Sequence, residues 1–216
     1  MKKTLSYILA IVVCLATLCG CGDTPSGGQT TDGPRDSVML RNALGMQTTD
    51  PADTNETDVL TVNEQIYEGL YTLDESGGGY QPCLAKKIDI SDDATVYTIT
   101  LQDGVKFHNG ETLKASDVVF SYQHFMDNPK YNSYTDMIEK VEALDDSHVV
   151  ITIARPYSPI LHTFFKIKIL SEKEVTSQGS DFGTIANLAG TGPYYMDAET
   201  YRPNSGWTLY AFEDYW

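Results

Sequence analysis
Residues 91–122 read SDDATVYTITLQDGVKFHNGETLKASDVVFSY, and this stretch decides the fold. Tyr97, Ile99 and Leu101 alternate with Thr98 and Thr100, the period of two that turns one face of a strand toward a core. Asp103-Gly104 and Asn109-Gly110 are tight-turn pairs, because glycine reaches the positive φ that such turns require. From Ala115 the period lengthens, and Val118, Tyr122, Phe125 and Met126 fall on one helical face. The succession strand, turn, strand, turn, helix predicts an α+β unit.

The flanks extend the pattern. Val38 to Leu44 is a short strand, broken at Asp50-Pro51; Val59, Val62, Ile66 and Leu70 then trace a helical face that Gly69 stops. Downstream, Val141–Leu144 and Val149–Ile153 form a hairpin around Asp145-Asp146-Ser147, followed by Arg155-Pro156-Tyr157. Gly190-Thr191-Gly192-Pro193-Tyr194 opens a further hairpin that ends at Glu213-Asp214-Tyr215-Trp216. Gly77-Gly78-Gly79 has no following Lys-Ser/Thr or helix and reads as a loop rather than a phosphate cradle.

Four of these segments occur in a telling order: Phe107-His108-Asn109-Gly110-Glu111, Asp117-Val118-Val119-Phe120-Ser121, Tyr67-Glu68-Gly69-Leu70 and the GTGPY loop. Together they resemble the signature of the family 5 extracytoplasmic solute-binding proteins, receptors of peptide and nickel ABC importers. The resemblance runs from Val38 to Trp216. Departures are Ile88 where the family usually has Trp, Lys114 where it has Thr or Ser, and Phe212-Glu213 where it has Asn-Pro.

The resemblance implies a type II periplasmic-binding-protein-like fold of mixed α+β and α/β character, here incomplete. Residues 37–62 and 187–216 are expected to form part of the first ligand-binding lobe, and residues 63–186 a smaller α+β domain. Family members are considerably longer, so the chain reads as an N-terminal portion with the second lobe beyond Trp216.

The first residues point to the same compartment. Lys2 and Lys3 precede an uncharged run from Leu5 to Leu18, too short for a stable membrane span, then Leu18-Cys19-Gly20-Cys21. Residues 1–20 are thus expected to be a lipoprotein signal peptide, cut before Cys21, whose thiol carries lipid. Cys19 fits less well, because Leu18 is bulky at the cleavage position. Residues 21–36 contain no large apolar side chain after Cys21 and predict a flexible tether spanning about 20 Å. Cys14 and Cys19 leave with the signal, so Cys83 stays alone and fits a small packed residue better than a nucleophile.

With 15 basic against 30 acidic residues, the chain lacks a cationic face for nucleic acid or anionic lipid. His108, His124, His148 and His162 are scattered without metal-ligand spacing, and His108 reads as structural. No G-x-S-x-G, P-loop or G-x-G-x-x-G is present. Asp92-Asp93 and Asp145-Asp146 fall in turns, where Asp accepts local backbone hydrogen bonds.

No enzyme and no cofactor is therefore expected. The alternatives are a lipid-anchored surface enzyme such as a glycosidase, which needs convergent carboxylates, and a truncated sensor or remnant uncoupled from transport. The favoured expectation is a monomeric receptor, lipid-anchored outside the cell, that captures a peptide, a nickel chelate or a similar solute for a permease and its ATPase. By resemblance the loop after Asp50-Pro51 lines the cleft and places Thr54, Asn55, Glu56 and Thr57 there. Equally, Asn55 or Thr57 caps the helix that follows. Tyr134 and Phe164 are candidate cleft walls, and both also suit a core.

Overall fold
A computed structural model of the chain describes residues 37–40, 48–54, 56–184, 189–197 and 207–216. The signal segment, Cys21, the tether and Asn55 lie outside the described residues. Along the chain run β1 (Ser37–Leu40), α1 (Thr57–Ile66), β2 (Tyr71–Leu73), β3 (Tyr80–Pro82), β4 (Ala85–Ile90), β5 (Val96–Leu101), α2 (Ala115–Met126) and α3 (Asn132–Thr135). Next come β6 (Ile138–Ala143), β7 (His148–Ile153), α4 (Ile160–Lys166), α5 (Glu172–Gln178), β8 (Tyr194–Met196) and β9 (Trp207–Ala211).

The period of two and the helical face meet in one core. Strands order β4-β5-β7-β6, all antiparallel, with Ile99 opposite Val149 and Tyr97 opposite Ile151. Tyr97, Ile99 and Leu101 of β5 and Val149, Ile151 and Ile153 of β7 all point inward. Val118, Tyr122 and Phe125 of α2 join the same core, each fully buried. Burying side chains of this size contributes roughly 1.5–3 kcal/mol each, so this face alone is enough to dock the helix. Gly104 and Gly110 take φ of 74° and 84°, as the turn pairs require.

The Asp117…Ser121 spacing has a definite use. Four residues apart, the two side chains share one side of α2. Ser121 Oγ accepts the Leu170 N–H at 2.8 Å and Asp117 Oδ1 accepts the Glu172 N–H at 3.0 Å. They thereby hang the start of α5 on α2. Burial pushes the Asp117 carboxyl above its ordinary value, against the pull of these N–H donors. Lys114, standing at the N-cap of α2, has no acceptor to cap with. What remains of a capping box is its own N–H, donated to Asp117 Oδ2 at 2.9 Å.

A second core gathers Val59, Val62 and Ile66 of α1 with Leu170, Val175, Ala189, Met196 and Leu209. It lies on a three-stranded sheet of order β1-β9-β8, in which Val38 faces Leu209 and Tyr195 faces Tyr210. Both ends of the described chain therefore meet in one sheet, separate from the four-stranded one. The expected boundary at residues 62 and 63 falls inside α1, whose apolar side chains face one core from Val59 to Ile66.

One expectation about α1 is corrected. Leu70 is not on its face, because the helix ends at Ile66 and Tyr67 turns extended at φ −120°, ψ 141°. Leu70 belongs to the first core, and its carbonyl takes the N–H groups of Cys83 and Ala85. Gly69 is needed for a close approach rather than for stopping a helix. A Cβ there would lie 2.6 Å from the Phe164 carbonyl oxygen.

Candidate functional site
The loop before α1 is strapped down from three sides. Asp50 Oδ1 accepts the Ala52 N–H at 2.8 Å, which closes the Asp-Pro turn locally. His124 of α2 places Nε2 at 2.9 Å from Asp50 Oδ2. The Tyr131 hydroxyl donates to the Pro51 carbonyl at 2.7 Å, and Lys130 Nζ reaches both the Asp53 carbonyl and its carboxylate at 2.6 Å. The Thr49 N–H donates to the Gly183 carbonyl at 2.8 Å, fixing the loop's near end. The Tyr131 hydroxyl also reaches the Thr54 carbonyl at 3.4 Å, so the straps extend to the start of the tip that leads into α1.

Within that tip Thr54 is buried, and its Oγ1 accepts the Glu56 N–H at 3.2 Å. Glu56 and Thr57 are exposed. Glu56 occupies the N-cap of α1 with no side-chain hydrogen bond, and Thr57 is the first helical residue rather than its cap. The first turn of α1 thus keeps N–H groups that its own N-cap side chain does not satisfy. Tyr134 is half-buried beside this region, its ring 5.8 Å from Tyr131 and 5.4 Å from His162. Phe164 is elsewhere: fully buried, it packs edge-on to Tyr97 and against Tyr71. It takes the core alternative and presents no surface to a ligand.

His124 and Asp50 make the strap sensitive to pH. Burial pulls the imidazole down, but the hydrogen bond and charge of Asp50, with Asp127 nearby, outweigh it, and the net shift is upward from 6.5. A raised histidine value stabilises the folded state fully below the unfolded value and loses that contribution as pH rises through the folded one. The denaturation midpoint should therefore fall, as pH rises above about 6.5, by more in the wild type than in His124→Gln, followed by fluorescence in urea. Parallel curves would remove the strap's pH dependence.

A polar hub ties the motifs together. Glu68 Oε2 accepts from the Thr191 hydroxyl at 2.8 Å and from Trp216 Nε1 at 3.1 Å. Its Oε1 accepts from the Tyr215 hydroxyl at 2.8 Å and faces Cys83 Sγ at 3.6 Å. Burial first, then Glu68, push the Cys83 thiol up to about 12, so it stays an unreactive packed residue. His108 bolts the turn motif to the GTGPY loop: its N–H donates to the Gly190 carbonyl at 2.9 Å and its Nε2 sits 2.9 Å from the Gly192 carbonyl. Burial holds its imidazole down near 4. Among the described residues no three His, Cys, Asp or Glu side chains cluster as metal ligands, and no helix is long and apolar enough to cross a membrane.

The family of bacterial extracellular solute-binding proteins, family 5 (middle region), matches residues 79–216. The chain belongs to family 5. Among curated family 5 relatives, the glutathione-binding protein GsiB of Salmonella typhi is 32% identical over 186 residues, which is 83% of this chain and 35% of that protein. NikZ from Campylobacter jejuni, solved in complex with Ni(L-His), superposes with a TM-score of 0.68 at 31% identity, covering 85% of this chain and 37% of NikZ. Listeria monocytogenes OppA bound to peptide gives 0.70 at 27%, covering 78% and 37%. The chain thus spans about a third of the length of the family 5 proteins it matches.

The straps were invisible in the sequence. His124 and Tyr131 stand 74 and 80 residues from their loop partners, and no local pattern links them. Tyr131 stands among Asn128, Lys130, Asn132 and Ser133, so nothing local marked it for burial or for a hydroxyl partner.

Proposed function
We propose that this chain is part of a substrate-binding lipoprotein of an ABC importer, which captures a peptide, or a nickel chelate or similar small solute, outside the cell. Closure of two lobes over the solute then presents it to a membrane permease and its ATPase, and the closed form must gain contacts from the ligand that the open form lacks. The observation that carries the reading is the strapping of residues 50–54 ahead of exposed Glu56 and Thr57, in a family 5 chain. By resemblance Thr54, Asn55, Glu56 and Thr57 line the cleft; exposed Glu56 and Thr57 offer polar groups to a solute while buried Thr54 holds the Glu56 N–H, with Tyr134 as an apolar wall. Backbone groups in such a loop pair with an extended peptide regardless of its sequence. Glutathione, a peptide and a nickel–histidine complex are the first solutes to try, since the relatives bind these.

The test uses the full-length protein carrying this sequence. Asn55→Ala with Thr57→Ala should weaken binding by about tenfold, the value of one or two lost hydrogen bonds, in titration calorimetry with each of those three solutes. Unchanged affinity with a lower melting temperature would assign these residues to capping α1 instead. For the anchor, Cys21→Ala should move the protein from the membrane fraction to a soluble or unprocessed form. Identical fractionation and mass would sink the lipoprotein reading.

A further inference from the structure
A buried lysine with no ion-pair partner among the described residues sits in a cavity that the loop site does not use. Lys168 is 8% exposed, yet among the described residues no carboxylate lies within ion-pair distance of its ammonium group. Its Nζ lies over the ring of Phe165, 4.4 Å from the centroid. The backbone beneath it is fixed: Gly69 and Lys168 pair as an antiparallel bridge, and the Ile169 N–H donates to the Glu68 carbonyl at 2.8 Å.

Glu68 is the obvious counter-ion and is already engaged. Both its oxygens are taken by the hydroxyls of Thr191 and Tyr215, the Trp216 indole and the Cys83 thiol. Glu64 stands at the rim, exposed, and with Cys83 and Glu68 it pulls the Lys168 titration upward through space, while Lys166 pushes it down. A cation withdrawn from water without an acceptor is costly, and burial accordingly pulls its titration down to about 8. The cavity in front of it measures ≈ 440 Å³, the size of small-molecule sites, and its walls are the rings of Tyr71, Phe165, Tyr215 and Trp216 with Pro82.

We propose that this cavity is a second ligand site, taking a small monocarboxylate with a flat apolar body. The carboxylate completes Lys168, and the body lies against the aromatic walls. A dianion is disfavoured by Glu64 at the rim. The site shares no residue with the Asp50–Thr57 loop, so its fate is independent of the transport reading.

Benzoate is the probe, titrated by NMR at pH 7 into the full-length protein carrying this sequence, with acetate as the comparison that lacks a flat body. Saturable benzoate binding is expected, about tenfold weaker for Lys168→Met, which keeps the apolar stem, and tighter for Glu64→Gln. Acetate should bind more weakly than benzoate. Raising the pH above about 8 should release benzoate, as Lys168 gives up its proton. Absence of saturable benzoate binding, equal affinity in Lys168→Met, or acetate binding as tightly as benzoate would overturn the proposal. Because Lys168→Met can alter packing, its shift dispersion is recorded alongside. If dispersion is lost, Glu64→Gln decides: tighter benzoate binding supports the site, unchanged or weaker binding overturns it.

Discussion

Gly190→Ala is expected to lower the melting temperature by about 10 °C, a loss of about 3 kcal/mol in a domain of this size. A Cβ at this position would lie 2.1 Å from the Ile66 carbonyl oxygen and 2.9 Å from the Tyr67 ring. Neither neighbour can give way cheaply. The Ile66 carbonyl is the last of α1 and already accepts the Gly192 N–H at 2.9 Å, while Tyr67 is fully buried and its hydroxyl donates to the Thr49 carbonyl at 3.1 Å. Moving the loop instead breaks the bond from the His108 N–H to the Gly190 carbonyl. Gly104→Ala is the informative comparison. Gly104 has φ of 74° with nothing within 4 Å of a new Cβ, so its cost is the left-handed backbone alone, roughly 1–2 kcal/mol. Calorimetric scans of both variants separate the two causes, and equal losses would mean that close approach is not what Gly190 serves.

The same contrast explains what the sequence could and could not say. Alternation in Tyr97–Leu101 and the face of Val118, Tyr122 and Phe125 are local statements about period, and the packing of β5 against α2 satisfies both at once. Asp103-Gly104 and Asn109-Gly110 were legible because the φ requirement resides in the residue itself. The end of α1 was not. Hydrophobic spacing continues through Leu70, but the chain leaves the helix at Tyr67 because Gly69 must press against the Phe164 and Phe165 carbonyls, a demand made nearly 100 residues away.

The candidate site divides along the same line. The residue types of the loop, Thr54 to Thr57, suit polar recognition on sight, yet only resemblance assigns them a cleft. The His124–Asp50 and Tyr131–Pro51 contacts that hold the loop depend on the tertiary fold. Phe164 shows the limit for apolar residues, since a buried wall and a ligand wall have the same composition. Only its full enclosure by Tyr71 and Tyr97 decides.

Glu68→Ala should cost about 3 kcal/mol, because it removes one carboxylate and strands several donors at once. The donors are not equal. Thr191 is fully buried and cannot turn its hydroxyl to water, whereas Tyr215 and Trp216 are 42% and 41% exposed and can. Most of the loss should therefore come from Thr191, and a double-mutant cycle isolates it. Thr191→Val removes the hydroxyl at nearly constant volume, so the Glu68→Ala/Thr191→Val pair should be less destabilised than the sum of the singles by about 1–2 kcal/mol in urea unfolding. A coupling near zero would mean that the 2.8 Å contact is incidental and that Glu68 acts through the terminal rings. The expected coupling instead makes the Glu of Tyr67-Glu68-Gly69-Leu70 the acceptor that joins the end of α1 to the GTGPY loop. The two motifs would then appear together because one carries the carboxylate and the other the hydroxyl it requires.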